Sequence, residues 1–221
     1  MARWSGIERA WREEGKQHIA GIDEVGRGPL AGPVVACAVV MRSGERAIAG
    51  VADSKVLAPL ERERLARVIR ARALALGLGA ASVREIALLN IYHATVLAMR
   101  RALRALTLEP DAVLVDGRPI ASLGVPHRAV VRGDERCYSV ACASIVAKVC
   151  RDRLMTALGR RHPVFGWGAN AGYATPAHVR ALREAGLTAH HRVLFCRTAL
   201  GGQAEGGDVL VLAPAPTRSV V

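Results

Sequence analysis

The sequence predicts an α/β fold, in which a mixed β-sheet is flanked by helices and followed by a helical C-terminal extension. Short apolar runs of strand length come first, at residues 19–24 and 34–41. Longer segments with helical spacing of apolar residues then alternate with further short runs. Strands that are followed by alternating helices and strands are typical of a mixed sheet covered by helices.

The first half of the chain is predicted to contain three strands and two long helices. The strand that ends at Glu24 is followed by a turn, a strand over residues 34–41 and a loop over residues 43–58. A helix is predicted from Pro59, a residue favoured at the first helical position, to about residue 76. A strand near residues 78–83 and a helix over about residues 86–106 complete this half.

The second half is predicted to be mainly helical. Short strands over residues 111–115 and 127–131 precede a helix over residues 139–158. Another helix is predicted over residues 176–185, with Thr175 as its N-cap. Residues 1–200 are expected to form one domain with a helical appendage from about residue 163, and the Gly- and Pro-containing residues 201–221 a flexible tail.

The chain is strongly basic, which favours a polyanionic ligand such as nucleic acid. Its 221 residues carry a formal net charge of +12. The 31 basic residues include three lysines, which leaves 28 arginines; the lysines are Lys16, Lys55 and Lys148. Solvated helix faces are the alternative use for so many arginines. No apolar run reaches membrane-spanning length and residues 1–17 are polar, so we expect a cytoplasmic protein.

The cysteine pattern argues against a disulfide framework and against a zinc site. The number is odd and no two cysteines have CxxC spacing. The cysteines are Cys37, Cys137, Cys142, Cys150 and Cys196. Because Cys142 and Cys150 lie in an apolar helical run, buried free thiols are the favoured interpretation.

Four acidic residues stand at strand ends or in turns, where ligands bind in α/β sheets. They are Asp23, Glu24, Asp116 and Asp134. Converging carboxylates would hold one or two Mg²⁺ or Mn²⁺ ions, the arrangement used for phosphodiester hydrolysis. For Asp116 and Asp134 taken alone, a turn-forming role is the alternative.

The adjacent pair Asp23 and Glu24 carries a geometric condition. Successive side chains on a strand point to opposite faces, so the pair can share one site only if the backbone bends there. The following Gly26 and Gly28 would permit such a bend, and an acidic pair gains nothing as a turn.

A dinucleotide-binding fingerprint is the competing interpretation of the same glycines. It would use Gly26, Gly28 and Gly32, with Asp53 as the ribose-binding acid. The spacing differs from G-x-G-x-x-G, and Pro33 is followed by a strand-like run where the fingerprint needs a helix. We therefore reject a nucleotide-dependent oxidoreductase.

The ordered motifs resemble the ribonuclease HII family, the type 2 ribonucleases H, over most of residues 18–195. The run Ile-Asp-Glu-Val-Gly-Arg-Gly-Pro-Leu-Ala-Gly-Pro at residues 22–33 is similar to the family's opening signature. Asp53-Ser-Lys-Val-Leu at residues 53–57 is similar to its second block. Further matching blocks follow in the family order at residues 85–99, 115–117, 133–134, 143–152, 172–175 and 191–192.

The resemblance implies an RNase H-like fold and a two-metal endonuclease that acts in DNA replication and ribonucleotide excision repair. It implies cleavage of the RNA strand of RNA–DNA hybrids and of single ribonucleotides in duplex DNA, with 3′-hydroxyl and 5′-phosphate products. It implies Mn²⁺ or Mg²⁺ as cofactor, and Asp23, Glu24, Asp116 and Asp134 as the catalytic metal ligands. We expect a monomer with no membrane partner.

The resemblance also implies a set of substrate-binding residues. Gly26, Arg27 and Gly28 match the turn that contacts the ribonucleotide, and Tyr173 matches the aromatic that stacks on the sugar at the RNA–DNA junction. Candidates for phosphate contacts, which position a duplex without reading its bases, are Ser54, Lys55, Ser144, Lys148, Arg151 and Arg153.

Four of these assignments have a structural alternative. Tyr173 is also compatible with a core aromatic, Ser144 with a hydrogen bond into its own helix, and Arg151 and Arg153 with helix-surface charge.

The sequence departs from the family pattern at two positions. Ala171 replaces a basic residue that often precedes the Gly-Tyr block, which is expected to weaken one phosphate contact, and Leu194 replaces a small polar residue. Only about 18 residues precede the opening signature, which disfavours the related type 3 family with its additional N-terminal domain. The alternative function is a non-catalytic basic nucleic-acid-binding module, which leaves the four carboxylates unexplained.

Overall fold

The computed structural model describes residues 4–52 and 54–201. Its internal contacts divide the chain into two compact units. The first unit comprises Met1–Arg27, Val34–Ala81 and Ile91–Arg151, and the second comprises Gly28–Pro33, Ser82–Asn90 and Asp152–Val221. The expectation of one domain over residues 1–200 stays a prediction, and residues 202–221 of the predicted tail lie outside the described residues.

The first unit is built on a five-stranded mixed sheet with the strand order β3-β2-β1-β4-β5. β1 is antiparallel to β2 and parallel to β4, β2 is antiparallel to β3, and β4 is parallel to β5. The predicted mixed sheet is therefore confirmed. The strands are β1 Ile19–Val25, β2 Val34–Met41, β3 Ala73–Ala81, β4 Ala112–Asp116 and β5 Arg128–Val130.

Helices make up most of the remaining described chain. In chain order they are α1 Gly6–Glu13, α2 Pro59–Arg72, α3 Val83–Arg104, α4 Gly133–Arg136, α5 Tyr138–Arg161, α6 Trp167–Asn170, α7 Pro176–Ala185 and α8 Val193–Ala199. The helix predicted over residues 139–158 corresponds to α5, and the one predicted over residues 86–106 to α3. α3 is interrupted at Asn90, whose φ is 66°.

One face of the sheet in the first unit packs on α2 and α5 around a continuous apolar core. Cys37, Val39 and Met41 of β2 lie in this core together with residues of both helices. Glycine allows α5 to lie directly on the sheet, because an added Cβ at Gly21 would collide with the backbone of Ser139. This close approach brings the first turns of α5 against β1.

The opposite face of the sheet packs on α3. An added Cβ at Gly79 of β3 would collide with the carbonyl oxygen of Ala98.

The predicted helix over residues 59–76 is wrong in its last turn: α2 ends at Arg72 and β3 begins at Ala73. The small residues of β3 allow the close packing of this strand on α3. Residue propensities do not indicate such a tertiary contact, so they did not predict where this strand begins.

The second unit has its own apolar core, and its C-terminal region is helical as predicted. Met155, Phe165 and Trp167 pack with residues of α7 and with Cys196 of α8. The Thr175 side chain accepts a hydrogen bond from the backbone N–H of His178, which confirms the predicted N-cap of α7. None of the helices in the described part of the chain combines the length and the apolar composition needed to cross a membrane.

Candidate active site

Asp23 lies near the end of β1, on the sheet face that α5 covers. Its carboxylate accepts hydrogen bonds from the Ser144 hydroxyl of α5 and, at 2.8 Å, from the backbone N–H of Glu24. The side chain is only 6% exposed. A buried carboxylate needs such donors or a cation, because desolvation penalises its charge.

Glu24 is the next residue of the same regular strand, so its side chain leaves the opposite face. The register continues unbroken to Val25, and the turn begins only at Gly26, whose φ is +90°. The expected bend between the two acidic residues is therefore absent. Both carboxylates nevertheless interact electrostatically with Asp116, since the neighbouring strand ends beside them.

Asp116 lies at the carboxyl end of β4, next to the end of β1, and Asp134 lies in the short helix α4. Parallel pairing of Ile22 with Val115 brings Asp116, the last residue of β4, level with Asp23. Asp116 Oδ1 accepts a hydrogen bond of 2.6 Å from the backbone N–H of Gly133, at the start of α4. Asp134 follows in the same helix and is 4% exposed. All four predicted carboxylates therefore belong to one neighbourhood of the first unit.

The electrostatics of this neighbourhood disfavour the ionised carboxylates. Burial, and then repulsion from Glu24, raises the pKa of Asp23 well above its ordinary value. Burial also raises the pKa of Glu24, although Arg27 opposes the shift. Burial, followed by repulsion from Asp134, raises the pKa of Asp116, with the Gly133 N–H opposing it. Clustered carboxylates of this kind favour the binding of a cation.

Two side-chain cations already contact the cluster. Arg27 Nη1 lies 3.2 Å from Glu24 Oε1, and Lys55 Nζ lies 3.1 Å from Asp134 Oδ2. Both cationic side chains are more than half exposed, whereas their acidic partners are mostly buried. Across residues 4–52 and 54–201, no three His, Cys, Asp or Glu side chains form a group arranged to hold a metal ion. The carboxylate oxygens are the donors that a hard divalent cation prefers, so the donor set fits such an ion although it is not closed around one.

The Gly26-Arg27 turn rests on a buried arginine. Arg151 of α5 is fully buried, and an added Cβ at Gly26 would collide with its guanidinium. The positive φ of Gly26 and this contact both require glycine. Arg151 therefore supports the turn from behind, a position that the sequence did not reveal.

The other predicted phosphate-binding residues of the first unit occupy different depths. Ser54 and Ser144 are both 4% exposed, and their hydroxyl oxygens lie 2.9 Å apart behind Asp23. Lys148 is partly exposed and shares a helix face with Ser144 and Arg151, since the three are spaced by four and three residues. Among these predicted phosphate-binding residues Lys55 is therefore exposed, Lys148 partly exposed, and both serines buried. Asp53, the first residue of the second block, lies outside the described residues.

Three predicted substrate-binding residues belong to the second unit. Tyr173 is 44% exposed, so it is not the core aromatic that was the alternative. An added Cβ at Gly28 would lie 3.9 Å from Tyr173 Cε1, which places the tyrosine ring beside this glycine. Arg153 is exposed on α5. Ala171, at the first departure from the family pattern, has a φ of 48°, and Leu194 at the second is 61% exposed.

The N-terminal helix contributes residues that the sequence analysis missed. Glu8 of α1 is fully buried, and its carboxylate accepts hydrogen bonds from the backbone N–H groups of Tyr138 and Ser139 at the start of α5. A cleft of about 840 Å³ is lined by α1, by the loop before α2 and by Asp134. The pattern Ser5-x-x-Glu8 is a capping-box signal that predicts a helix here, but not its docking.

Comparison with known proteins identifies the family. The ribonuclease HII family model matches residues 20–198. A ribonuclease HII of Granulibacter bethesdensis is 53% identical over 192 residues, which cover 85% of this chain and 87% of that protein. The ribonuclease H2 of Pyrococcus horikoshii OT3 has a similar structure, with a TM-score of 0.69, 27% identity and coverage of 82% of this chain and 96% of that chain.

A structure of Bst-RNase HIII in complex with Mn²⁺ matches with a TM-score of 0.66 and 20% sequence identity. The match covers 89% of this chain and 73% of that chain. At this identity the likeness shows the shared fold alone. The family model spans most of the chain and includes all four carboxylates, and the bacterial relative matches over nearly the same length. The chain belongs to the ribonuclease HII family.

Proposed function

We propose that this ribonuclease H endonuclease hydrolyses the RNA strand of RNA–DNA hybrids and single ribonucleotides embedded in duplex DNA, leaving 3′-hydroxyl and 5′-phosphate ends. Its catalytic residues are Asp23, Glu24, Asp116 and Asp134. The observation that carries the proposal is the clustering of these carboxylates around the carboxyl ends of β1 and β4 and the start of α4, where burial and mutual repulsion raise the pKa of three of them. A purely structural role offers no compensation for this repulsion.

The four carboxylates are the proposed ligands for one or two Mg²⁺ or Mn²⁺ ions. Divalent cations bound there would supply Lewis-acid stabilisation of the phosphate and lower the pKa of an attacking water. The carboxylates would be held ionised for this purpose by the cations, and the Ser144 hydroxyl and the Gly133 N–H would orient Asp23 and Asp116.

Lys55 and Arg27 have a second task in this proposal. Both are exposed side chains that at present neutralise Asp134 and Glu24. When cations occupy the carboxylates, these two side chains would turn to the negatively charged phosphates of the substrate. Lys148, on the α5 face next to Ser144, would contact a phosphate as well.

Discrimination of RNA from DNA is assigned to the glycine-rich turn and to Tyr173. The 2′-hydroxyl is the group that separates the two sugars at a single position, and it both donates and accepts hydrogen bonds. Backbone amides of this turn can approach it closely, because Gly26 and Gly28 carry no side chain. Tyr173 presents an exposed ring for stacking on the adjoining sugar. The net charge of +12 supplies the nonspecific attraction to the duplex.

The Asp116→Asn variant tests this function, with Glu109→Gln, an exposed acid that belongs to none of the motif blocks, as the matched control. Asparagine keeps an oxygen for the Gly133 N–H but loses the charge that a cation requires. We expect Asp116→Asn to bind a duplex with one ribonucleotide as tightly as the wild type and to cleave it at least about a hundredfold more slowly. Glu109→Gln should cleave at the wild-type rate.

Unimpaired cleavage by Asp116→Asn would refute the role of this carboxylate. Binding without cleavage by the wild type in any divalent metal would instead favour the non-catalytic binding module.

A further inference from the structure

Two histidines of the second unit form a buried pair that the proposed chemistry does not use. His178 and His191 are 0% and 2% exposed, and their Nε2 atoms lie 3.2 Å apart. The indole N–H of the fully buried Trp167 donates to His178 Nε2 at 3.0 Å. Such a buried polar network is stable only when every donor meets an acceptor.

The surroundings of the pair permit one pattern of protons. His178 Nδ1 lies 2.9 Å from the carbonyl oxygen of Tyr173, which can only accept, so Nδ1 carries the proton. His191 Nδ1 accepts from the backbone N–H of Thr188 at 2.9 Å, so it carries none. Neutral His191 therefore has its proton on Nε2 and donates it to His178 Nε2, which also accepts from Trp167.

The network ends on the backbone of Tyr173, in the loop between α6 and α7. The preceding Gly172 has a φ of +85°, and its carbonyl oxygen accepts from the backbone N–H of Leu30 at 2.8 Å. The hydrogen bond from His178 is thus one of the contacts that fix this loop. It holds the loop where the tyrosine ring lies beside Gly28.

We propose that His178 and His191 are positioning residues for substrate binding, a neutral imidazole pair that fixes the backbone of Tyr173 so that its ring meets the sugar at the RNA–DNA junction. This inference rests on the substrate-contacting role proposed for Tyr173. His178 acts through its hydrogen bond to the Tyr173 carbonyl oxygen. His191 donates to His178 Nε2 and so keeps the proton of His178 on Nδ1, where that bond needs it.

The neighbours of the pair keep it neutral. A proton added to His178 Nε2 would face two N–H donors, and one added to His191 Nδ1 would face the Thr188 N–H. Burial, followed by His178, His162 and His190, lowers the pKa of His191 to about 3. Burial also lowers the pKa of His178, and that of His190 is lowered by burial and then by His162 and Arg161.

Two substitutions of His178 separate its two hydrogen bonds. Asparagine places an N–H donor near the position of Nδ1 and keeps the bond to Tyr173, whereas glutamine places an acceptor near Nε2 and loses that bond. In cleavage of a duplex with one ribonucleotide, we expect His178→Gln to raise KM about five- to tenfold with a smaller change in kcat. His178→Asn should restore most of the affinity.

A double-mutant cycle with Tyr173→Ala tests whether the effect passes through the tyrosine. In that background we expect His178→Gln to raise KM no further, because the ring it positions is gone. If Tyr173→Ala raises KM but His178→Gln does not, the positioning role is refuted and the proposed function stands. If Tyr173→Ala itself leaves KM unchanged, the substrate role of Tyr173 is what fails.

Histidine ¹⁵N NMR spectra of the wild-type protein test the network without any assay of activity. The spectra should show the proton of His178 on Nδ1 and that of His191 on Nε2 at neutral pH. The opposite tautomer at either residue, or a charged ring, would overturn the inference.

Discussion

Replacing Glu8 by glutamine removes a charge that is fully buried and that accepts four hydrogen bonds. Glu8 Oε1 accepts from the Ser139 backbone N–H at 2.8 Å and from the Ser139 hydroxyl at 2.6 Å. Glu8 Oε2 accepts from the backbone N–H groups of Ser5 at 2.8 Å and Tyr138 at 3.1 Å. The carboxylate therefore joins α1 to the N-terminus of α5, whose first N–H groups have no partner within their own helix.

The expected cost follows from this set of bonds. Glutamine keeps one oxygen, so two of the four bonds survive, and its NH₂ group faces two donors on the other side. A hydrogen bond to a charged group contributes about 1.5–3 kcal/mol, so the loss of two predicts a decrease of about 3 kcal/mol or more in the free energy of unfolding. For a chain of this size the corresponding decrease in Tm is about 6–12 °C.

Urea denaturation and thermal unfolding of Glu8→Gln measure this effect. Glu13→Gln is the matched control, since Glu13 lies exposed on the same helix and should change the free energy of unfolding by less than about 0.5 kcal/mol. Equal stability of Glu8→Gln and Glu13→Gln would refute the claim that α1 is anchored to α5 through this carboxylate.

Three further predictions concern the turn, the carboxylates and the histidine pair. Gly26→Ala should lower Tm more than Gly44→Ala: both have a positive φ, but an added Cβ collides with Arg151 only at Gly26, and equal losses would contradict this. In chelator, Asp116→Asn should have a higher Tm than the wild type at about pH 8, and this difference should disappear towards about pH 4. The reason is that the pKa of Asp116 is raised in the folded protein, so its ionised form destabilises the fold at high pH. A variant less stable than the wild type at about pH 8 would contradict this. The pKa of His191 is lowered to about 3, so the unfolded chain binds a proton that the folded protein does not. As the pH decreases below about 6.5, the free energy of unfolding of the wild type should therefore decrease by up to about 1.4 kcal/mol per pH unit more than that of His191→Asn. Parallel pH profiles of the two proteins in urea denaturation would contradict this.

Elements with strong local signals were predictable from the sequence. The continuous apolar run at residues 34–41 became β2 with the predicted bounds, and Pro176 with its N-cap Thr175 opened α7 as expected. β3 was placed too late because its alternation of leucine with glycine and alanine is unlike a usual half-buried strand. Its glycines admit the backbone of α3, which is a tertiary requirement with no local signal.

The positions of the four carboxylates along the chain were predictable, but not what each contacts. Adjacent Asp23 and Glu24 reach Asp116 without a bend because β1 and β4 are parallel and in register. Strand pairing is a long-range property, so neither this geometry nor the contact between Lys55 and Asp134 follows from motif spacing.

Burial separates residues that the motifs treat alike. Lys148 and Arg151 belong to one block, and both were predicted to contact phosphate, yet Arg151 is fully buried against Gly26. Helical spacing shows that two residues share a face, but not which part of that face the neighbouring strand covers. Glu8 was missed because its capping-box pattern predicts only the local helix, whereas the contact of Glu8 with α5 is long-range in sequence.

Cleavage of an end-labelled DNA duplex that contains one ribonucleotide tests the central claim most directly. The duplex is incubated with Mg²⁺, with Mn²⁺ and with chelator, beside an all-DNA duplex, and the products are mapped to the nucleotide. The four-carboxylate site predicts a single metal-dependent cut on the 5′ side of the ribonucleotide, with 3′-hydroxyl and 5′-phosphate ends and no cut in the all-DNA duplex. Cleavage that persists in chelator, or binding without cleavage in both metals, would contradict it.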